Sequence, residues 1–335
     1  MQNNKFLFFR DQIPDEYGQQ FYIEAEKAML NFQREFIFRK MPGYVEKDYR
    51  NILEYVYNDH PELFYCYPLK SVIKIELFQV KVILGYIHNN TEAQRKAKEL
   101  NDTVELIVRE IFPYGYETVD DLVREKEIFD WITKKVTYDH MSLDILKPDR
   151  SNLSDAWNAY GTLVKKTAVC HGISLAFKLL CDRVNLPSIV VLGDAGGRHA
   201  WNIVKIHDRF YHIDCTWGLK TSIDMKNPMK KYQYLNVPDL VMFRDHTPEV
   251  DYLPQCRSLR YNPYKQRKLC VTNEEELCLL AERMFRNGNR RFAIMCINGS
   301  PEQSLLHELC LKIRDKTGSD FIYYRSNSYV AFVWE

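Results

Sequence analysis

The sequence predicts an α+β fold, and three patterns lead to it. From Cys170 the apolar residues Ile173, Ala176, Phe177, Leu180 and Val184 recur at helical spacing until Asn185, Leu186 and Pro187 stop the run. Behind that helix, Ser188 to Leu192 is a β-branched run, and His199–Ile206 and Phe210–Thr216 alternate as the arms of an antiparallel hairpin do. Helical patterns dominate the first part of the chain, and short strands alternate with helices in the last. The expected organisation is an N-terminal, mostly helical region with a β segment (1–150), then a core in which a Cys-bearing helix packs on an antiparallel sheet carrying His and Asp (151–260). A small C-terminal α/β unit (267–335) completes it.

The elements follow in order. Tyr17–Lys40 places Phe21, Ala25, Ala28, Met29, Phe32 and Phe36 on one face of a helix that Pro42 and Gly43 end. A second helix, Val45–Asn58, presents Tyr49, Ile52, Leu53 and Val56 and stops before Pro61. Leu63–Tyr86 is the β-rich part of this half, although Phe78–Ile87 is also compatible with helix. Thr91–Phe112 and Val119–Val136 are helices, the second opened by the capping-type string Thr118, Val119, Asp120, Asp121. Pro148–Ser154 is a loop and Asp155–Lys165 a short helix or turn leading to Cys170. Arg257–Arg267 is a polar linker. Beyond it come strand Leu269–Val271, helix Asn273–Arg286 with Thr272 as its cap, strand Phe292–Ile297, helix Pro301–Arg314 and a final hairpin, Phe321–Tyr324 with Tyr329–Trp334.

Composition narrows the function. A chain of 335 residues with 46 basic and 45 acidic side chains has a formal charge of +1, so no strong field points to nucleic acid or an anionic membrane. Met1–Gln20 carries Lys5, Arg10, Asp11, Asp15 and Glu16 around a short apolar patch, unlike a signal peptide, and no uncharged apolar run reaches membrane-spanning length. Nine scattered cysteines without a CxxC pair fit a reducing compartment and speak against a disulfide framework or a thiolate zinc site. A cytoplasmic location is the expectation.

Three reactive side chains fall within Ala168–Trp217. Cys170 opens a helix, where backbone N–H groups and the helix dipole favour a thiolate and can later hold an oxyanion. A lone cysteine is more often a structural one. His199 opens a strand. If the following hairpin loop has an even number of residues, centred on Ile206/His207 or one residue later, Asp214 falls on the same face as His199. It is then directly opposite or one diagonal step away, within hydrogen-bond reach. Such a carboxylate fixes the imidazole tautomer and leaves the other nitrogen for the thiol. His171 points elsewhere from Cys170. The GDAGG loop, Gly193–Gly197, lacks the Lys and Ser/Thr of a phosphate cradle and precedes a strand, which suits a flexible cleft rim. His207 and His212, five residues apart across a strand, face opposite sides and make a poor metal pair. His246 and Cys256 receive no chemistry.

These strings resemble the core of the transglutaminase-like superfamily of papain-fold cysteine enzymes, most of all its bacterial members. The matching residues are Val169, Cys170 and Gly172, then His199, Ala200, Trp201 and Asn202, then Asp214, Thr216 and Trp217. More loosely, Glu127–Asp139 resembles the helix before that core, and Tyr232–Cys256 the region that packs around it after the triad. Carried over, the resemblance makes Cys170 the nucleophile, His199 the general acid/base and Asp214 the residue that orients it. Asn158 and Tyr160, in a segment that walls the cleft of the relatives, are candidates for donating a hydrogen bond to an oxyanion. It implies amide-bond chemistry on a protein or peptide through a thioester, with water giving a peptidase and an amine a transglutaminase; hydrolysis is slightly favoured. No cofactor or metal is required, and no acidic cluster stands out for the calcium that some animal relatives use. A non-catalytic peptide-binding module is the alternative, usually marked by loss of a triad residue, and all three are present. A metallohydrolase is the third and weakest reading. The oligomeric state is left open.

Overall fold

The structure, a computed structural model, describes residues 5–144, 154–219, 230–318 and 321–334. The chain forms two compact units, Met1–Trp131 with Lys135–Val190, and Ile132–Lys134 with Val191–Glu335. It is a mixed helix and sheet protein. The loop expected at Pro148–Ser154 lies, up to Leu153, outside the described residues.

Up to the first unit's final residues the order is α1 (Phe8–Asp11), α2 (Glu16–Leu30), β1 (Glu35–Arg39), α3 (Glu46–Asp59), β2 (Val72–Ile75), β3 (Gln79–Ile83) and α4 (Asn90–Ile111). Then come α5 (Asp121–Lys135), which runs across the unit boundary, β4 (Thr137–Tyr138), α6 (Met141–Asp144), α7 (Ala159–Leu163), β5 (Thr167–Ala168) and α8 (Cys170–Arg183). The helix expected over Tyr17–Lys40 ends at Leu30. Phe32 adopts a positive φ of 54°, which a helix cannot continue, and the chain turns into β1. Phe36 and Phe38 then lie on one face of a strand, two residues apart, both packed on Phe21 at 5.4 Å between ring centroids. β1 pairs antiparallel with β3, Phe36 opposite Val82 and Phe38 opposite Val80, so the segment that allowed a helix at Phe78–Ile87 is strand through residue 83. Thr118 does not cap α5. The carboxylate of Asp120 accepts from the Leu122 N–H at 2.9 Å instead.

Every residue of α8 from Gly172 to Asp182 is buried, as is Cys170, which is the signature of a core helix rather than a surface one. That burial includes Lys178 and Asp182. The Lys178 ammonium donates to Asp182 Oδ1 at 3.1 Å, to the Ser188 carbonyl at 3.2 Å and to the Phe6 carbonyl at 3.2 Å, using all three of its protons. Burial pushes the Asp182 carboxyl up to about 6 even though Lys178 pulls it down. Nearby, Asp59 accepts from the Phe9 and Arg10 N–H groups and the Tyr22 hydroxyl, fastening α1 to α3.

Further along lie β6 (Ser188–Asp194), which begins in the first unit, β7 (Arg198–Ile206), β8 (Arg209–Ile213), β9 (Leu235–Val237), α9 (Asp239–Met242) and β10 (Thr247–Pro248). They form a five-stranded sheet in the order β10-β6-β7-β8-β9. The expected polar linker is partly buried: α10 (Pro263–Gln266) sits within it, Tyr264 is fully enclosed, and Asn262 donates to the Leu235 carbonyl at 2.9 Å while capping α10. The remaining elements are β11 (Cys270–Val271), α11 (Glu274–Arg286), β12 (Arg291–Cys296), α12 (Gln303–Thr317), β13 (Phe321–Arg325) and β14 (Tyr329–Trp334), with sheet order β11-β12-β14-β13. Asn273, not Thr272, caps α11, because its side chain reaches the Glu276 N–H at 2.9 Å. The Glu276 carboxylate answers by accepting from Thr272 N and Oγ1. Leu277, Leu280, Phe285, Phe292, Ile294, Leu306 and Phe332 form its core. Among the described residues no helix is long and apolar enough to cross a membrane.

Candidate active site

In the first unit, the start of α8 is clamped to the turn before α7. Val169, extended and at the N-cap, donates its N–H to the Ala156 carbonyl at 3.0 Å, and Cys170 follows as the first helical residue, 5% exposed. Two residues on, a Cβ at Gly172 would meet the Ala156 carbonyl at 2.5 Å and the Asn158 backbone at 3.0 Å. That backbone approach explains the glycine. Gly172→Ala is expected to push the helix start outward and cost about 1–3 kcal/mol of stability, read from a denaturation midpoint; an unchanged midpoint would show the turn to be compliant. His171 turns from Cys170 toward Tyr57, with ring centroids 6.1 Å apart.

Asn158 and Tyr160 both have partners inside this unit. The Asn158 side chain accepts from the Gly161 N–H at 3.2 Å as the cap of α7 and donates to the Phe64 carbonyl at 3.5 Å. The Tyr160 hydroxyl donates to Glu99 at 2.8 Å, and its ring stacks on Phe64 at 5.2 Å. Capping and packing account for both residues.

In the second unit, β7 and β8 form a hairpin with Ile206 opposite Arg209, so the loop is His207–Asp208, the later of the two expected centres. That register puts Asp214 one diagonal step from His199. His199 Nε2 lies 2.8 Å from Asp214 Oδ2, with both side chains buried. The other carboxylate oxygen, Oδ1, accepts from the Thr216 and Trp217 N–H groups at 2.7 and 3.0 Å. Burial would raise the Asp214 carboxyl, but the charge and hydrogen bond of His199 and the hydrogen bond of His246 outweigh it and hold the group well below the usual carboxylate range. Asp214 is thus a fixed anion in short contact with His199 Nε2.

Two histidines to which the sequence reasoning assigned no chemistry stand close to this pair. His246 Nε2 lies 3.3 Å from Asp214 Oδ2, and its ring is fully buried. His212, also buried, accepts from Trp201 Nε1 at Nδ1 (3.1 Å), so its proton sits on Nε2 and is shared with Asp239 Oδ1 at 2.8 Å. His199, Asp214 and His246, and separately His212, Asp239 and Cys256, gather potential ligand atoms within 4.8 Å. Tetrahedral ligands stand about 3.3 Å apart around zinc. The 2.8 Å imidazole–carboxylate contacts in both groups are those of a shared proton instead. His207, in the hairpin loop, pairs with the Tyr261 hydroxyl at 2.9 Å.

Residues 116–215 match the family model described as the transglutaminase-like superfamily. This chain carries a transglutaminase-like domain. Cys170, His199 and Asp214 fall within the matched residues of that domain; His246 lies beyond them. A search of curated proteins found no match. Among solved structures, the chain is similar to one described as a TGase at 14% identity and a TM-score of 0.31, covering 56% of this chain and 52% of the other. It is also similar to a "Putative Cysteine Protease from Cytophaga hutchinsonii" at 14% identity and a TM-score of 0.28, covering 51% and 56%. The chain spans about half the length of each of these two structures.

Proposed function

We propose that the transglutaminase-like domain is a cysteine-dependent acyl-transfer enzyme acting on an amide bond of a protein or peptide. Cys170 is the nucleophile, His199 the general acid/base and Asp214 the orienting carboxylate. The Cys170 thiol passes its proton to His199 Nδ1, and the sulfur attacks the substrate carbonyl to give a tetrahedral oxyanion held by N–H groups at the start of α8. His199 returns the proton to the departing amine as the C–N bond breaks, leaving a thioester. Water resolves the thioester to an acid and an amine resolves it to a new amide; in either case sulfur leaves and recovers its proton. The observation that carries this reading is the buried His199–Asp214 pair at 2.8 Å, within a segment whose family is transglutaminase-like. The resemblance implies peptidase and transferase outcomes alike, and hydrolysis is the slightly favoured one.

Mass spectrometry of peptide mixtures incubated with the full chain and a primary amine tests it. Cleaved peptides or amine adducts are expected with the native chain and not with Cys170→Ala. Peptides that are bound but unaltered by either protein would overturn the enzyme in favour of a binding module.

A further inference from the structure

The Asp214 carboxylate serves two imidazoles, and only one of them belongs to the proposed triad. His246 stands beside His199 and approaches the same Asp214 oxygen, Oδ2, with the two ring centroids 5.4 Å apart. Its Nε2 is 3.3 Å from Asp214 Oδ2 and its Nδ1 is 2.7 Å from Asp245 Oδ1. Asp245 is itself held in place, its Oδ2 accepting from the Tyr234 hydroxyl at 2.6 Å and from Asn327 Nδ2 at 3.2 Å. The rings of Trp201, Trp217 and Tyr234 close around His246 at 5.0, 4.5 and 5.3 Å.

A neutral imidazole has one N–H and one lone pair. With a carboxylate oxygen at each nitrogen, a neutral His246 would aim that lone pair at an anion in a site without water-like exposure. An imidazolium satisfies both contacts. We propose that His246 is a positioning residue for the acid/base step, an imidazolium buried between Asp214 and Asp245 that fixes the Asp214 carboxylate and moderates its pull on the His199 proton. This rests on the reading of His199 as the general acid/base.

The charge balance shows what the second cation does. With His246 protonated, Asp214, Asp245 and His246 sum to one negative charge when His199 is neutral and to zero when His199 holds the proton. Without that cation the same states carry two negative charges and one, and His199 would hold its proton more tightly and return it to a leaving amine less readily. The titratable groups facing His246 are Asp214, Asp245, Tyr234 and His199, with His212 contributing through the field. Burial and the His199 charge lower the His246 pKa, yet its hydrogen bonds to the two carboxylates raise it overall. By linkage, a raised imidazole contributes stability that is complete at acidic pH and lost as pH rises through its folded midpoint.

The test uses the full chain carrying Cys170→Ala, with ¹⁵N-labelled histidine rings followed by NMR across pH. Both His246 nitrogens are expected to be protonated at pH 7, and in His246→Gln the His199 midpoint is expected to rise by about one pH unit. Asp245→Asn, which removes the anion that favours the imidazolium, is expected to lower the pH at which the His246 ring loses its second proton. A His246 ring with a single protonated nitrogen at pH 7 overturns the proposal without any substitution at 246. So does an unmoved His199 midpoint in a folded His246→Gln chain, or an unmoved His246 midpoint in a folded Asp245→Asn chain, either of which would leave His246 a packing residue. Because these titrations need no turnover, they stand apart from the peptide and amine assay. If that assay shows no Cys170-dependent reaction, the triad reading fails whatever the rings report.

Discussion

Replacing His199 with alanine is expected to lower Cys170-dependent turnover by about 10³-fold or more, since the acid/base step and the activation of sulfur are lost together. The same change should slow alkylation of Cys170 by a haloacetamide at pH 6 to 7. The background is favourable, because burial pushes the thiols of Cys270 and Cys296 up to about 12 and that of Cys310 to about 11, and it raises Cys66, Cys181, Cys256 and Cys278 as well. Mass mapping of the alkylated site should therefore show Cys170 first in the native chain and no such preference in His199→Ala. Asp214 retains its two backbone N–H donors and His246 in that variant, so the sheet should hold and circular dichroism should be unchanged. Equal alkylation and equal turnover in both proteins would remove His199 from the mechanism.

The second large effect concerns stability. Lys178→Met keeps the apolar stem of the side chain but strips the cation from beside Asp182, and breaking a buried pair of this kind costs about 3–5 kcal/mol. Urea unfolding at pH 7 should show the loss. The sign of its pH dependence follows from the carboxyls. Asp182 and Asp59 are both raised by burial and lowered by Lys178, so without the ammonium both move further up. A raised carboxyl stabilises the fold at low pH and ceases to as pH climbs, so the deficit should shrink as pH falls toward and below 6. Adding Asp182→Leu should recover much of the loss, because two matched apolar groups need no counter-ion. A deficit independent of pH would mean that packing, not charge, is what Lys178 supplies.

How much of this was legible in the sequence depends on whether a signal is local. The α8 pattern is dense and apolar, so its start at Cys170 could be read directly. Strand alternation, with the loop taken as even, narrowed the hairpin to two registers, and the pairing of Ile206 with Arg209 chooses the later one. β1 was hidden because Phe32 and Phe36 are four apart, which is helical spacing, while Phe36 and Phe38 are two apart, which is strand spacing. The backbone turn at Phe32 decides between them, and no composition rule forces it. His246 was hidden for a different reason. It lies 32 residues from Asp214, in a stretch with no periodicity, and what makes it chemical is a carboxylate brought to each side of its ring. Its direct neighbour Asp245 was the only local sign. Likewise, Thr118 and Thr272 look like caps, but nearby Asp120 and Asn273 compete for the same N–H groups with equally suitable oxygens.

Lys178 also separates two ideas of what a domain is. Its ammonium reaches a carbonyl 172 positions earlier, at Phe6, and from there the chain continues into the segment that Asp59 fastens. The family match begins at residue 116, whereas the covalent stretch that helps seat α8 begins before residue 10. Family likeness and cooperativity therefore draw different borders here, and a gene fragment cut along the first would leave the Lys178 ammonium with Asp182 and the Ser188 carbonyl but without the Phe6 carbonyl that completes its set.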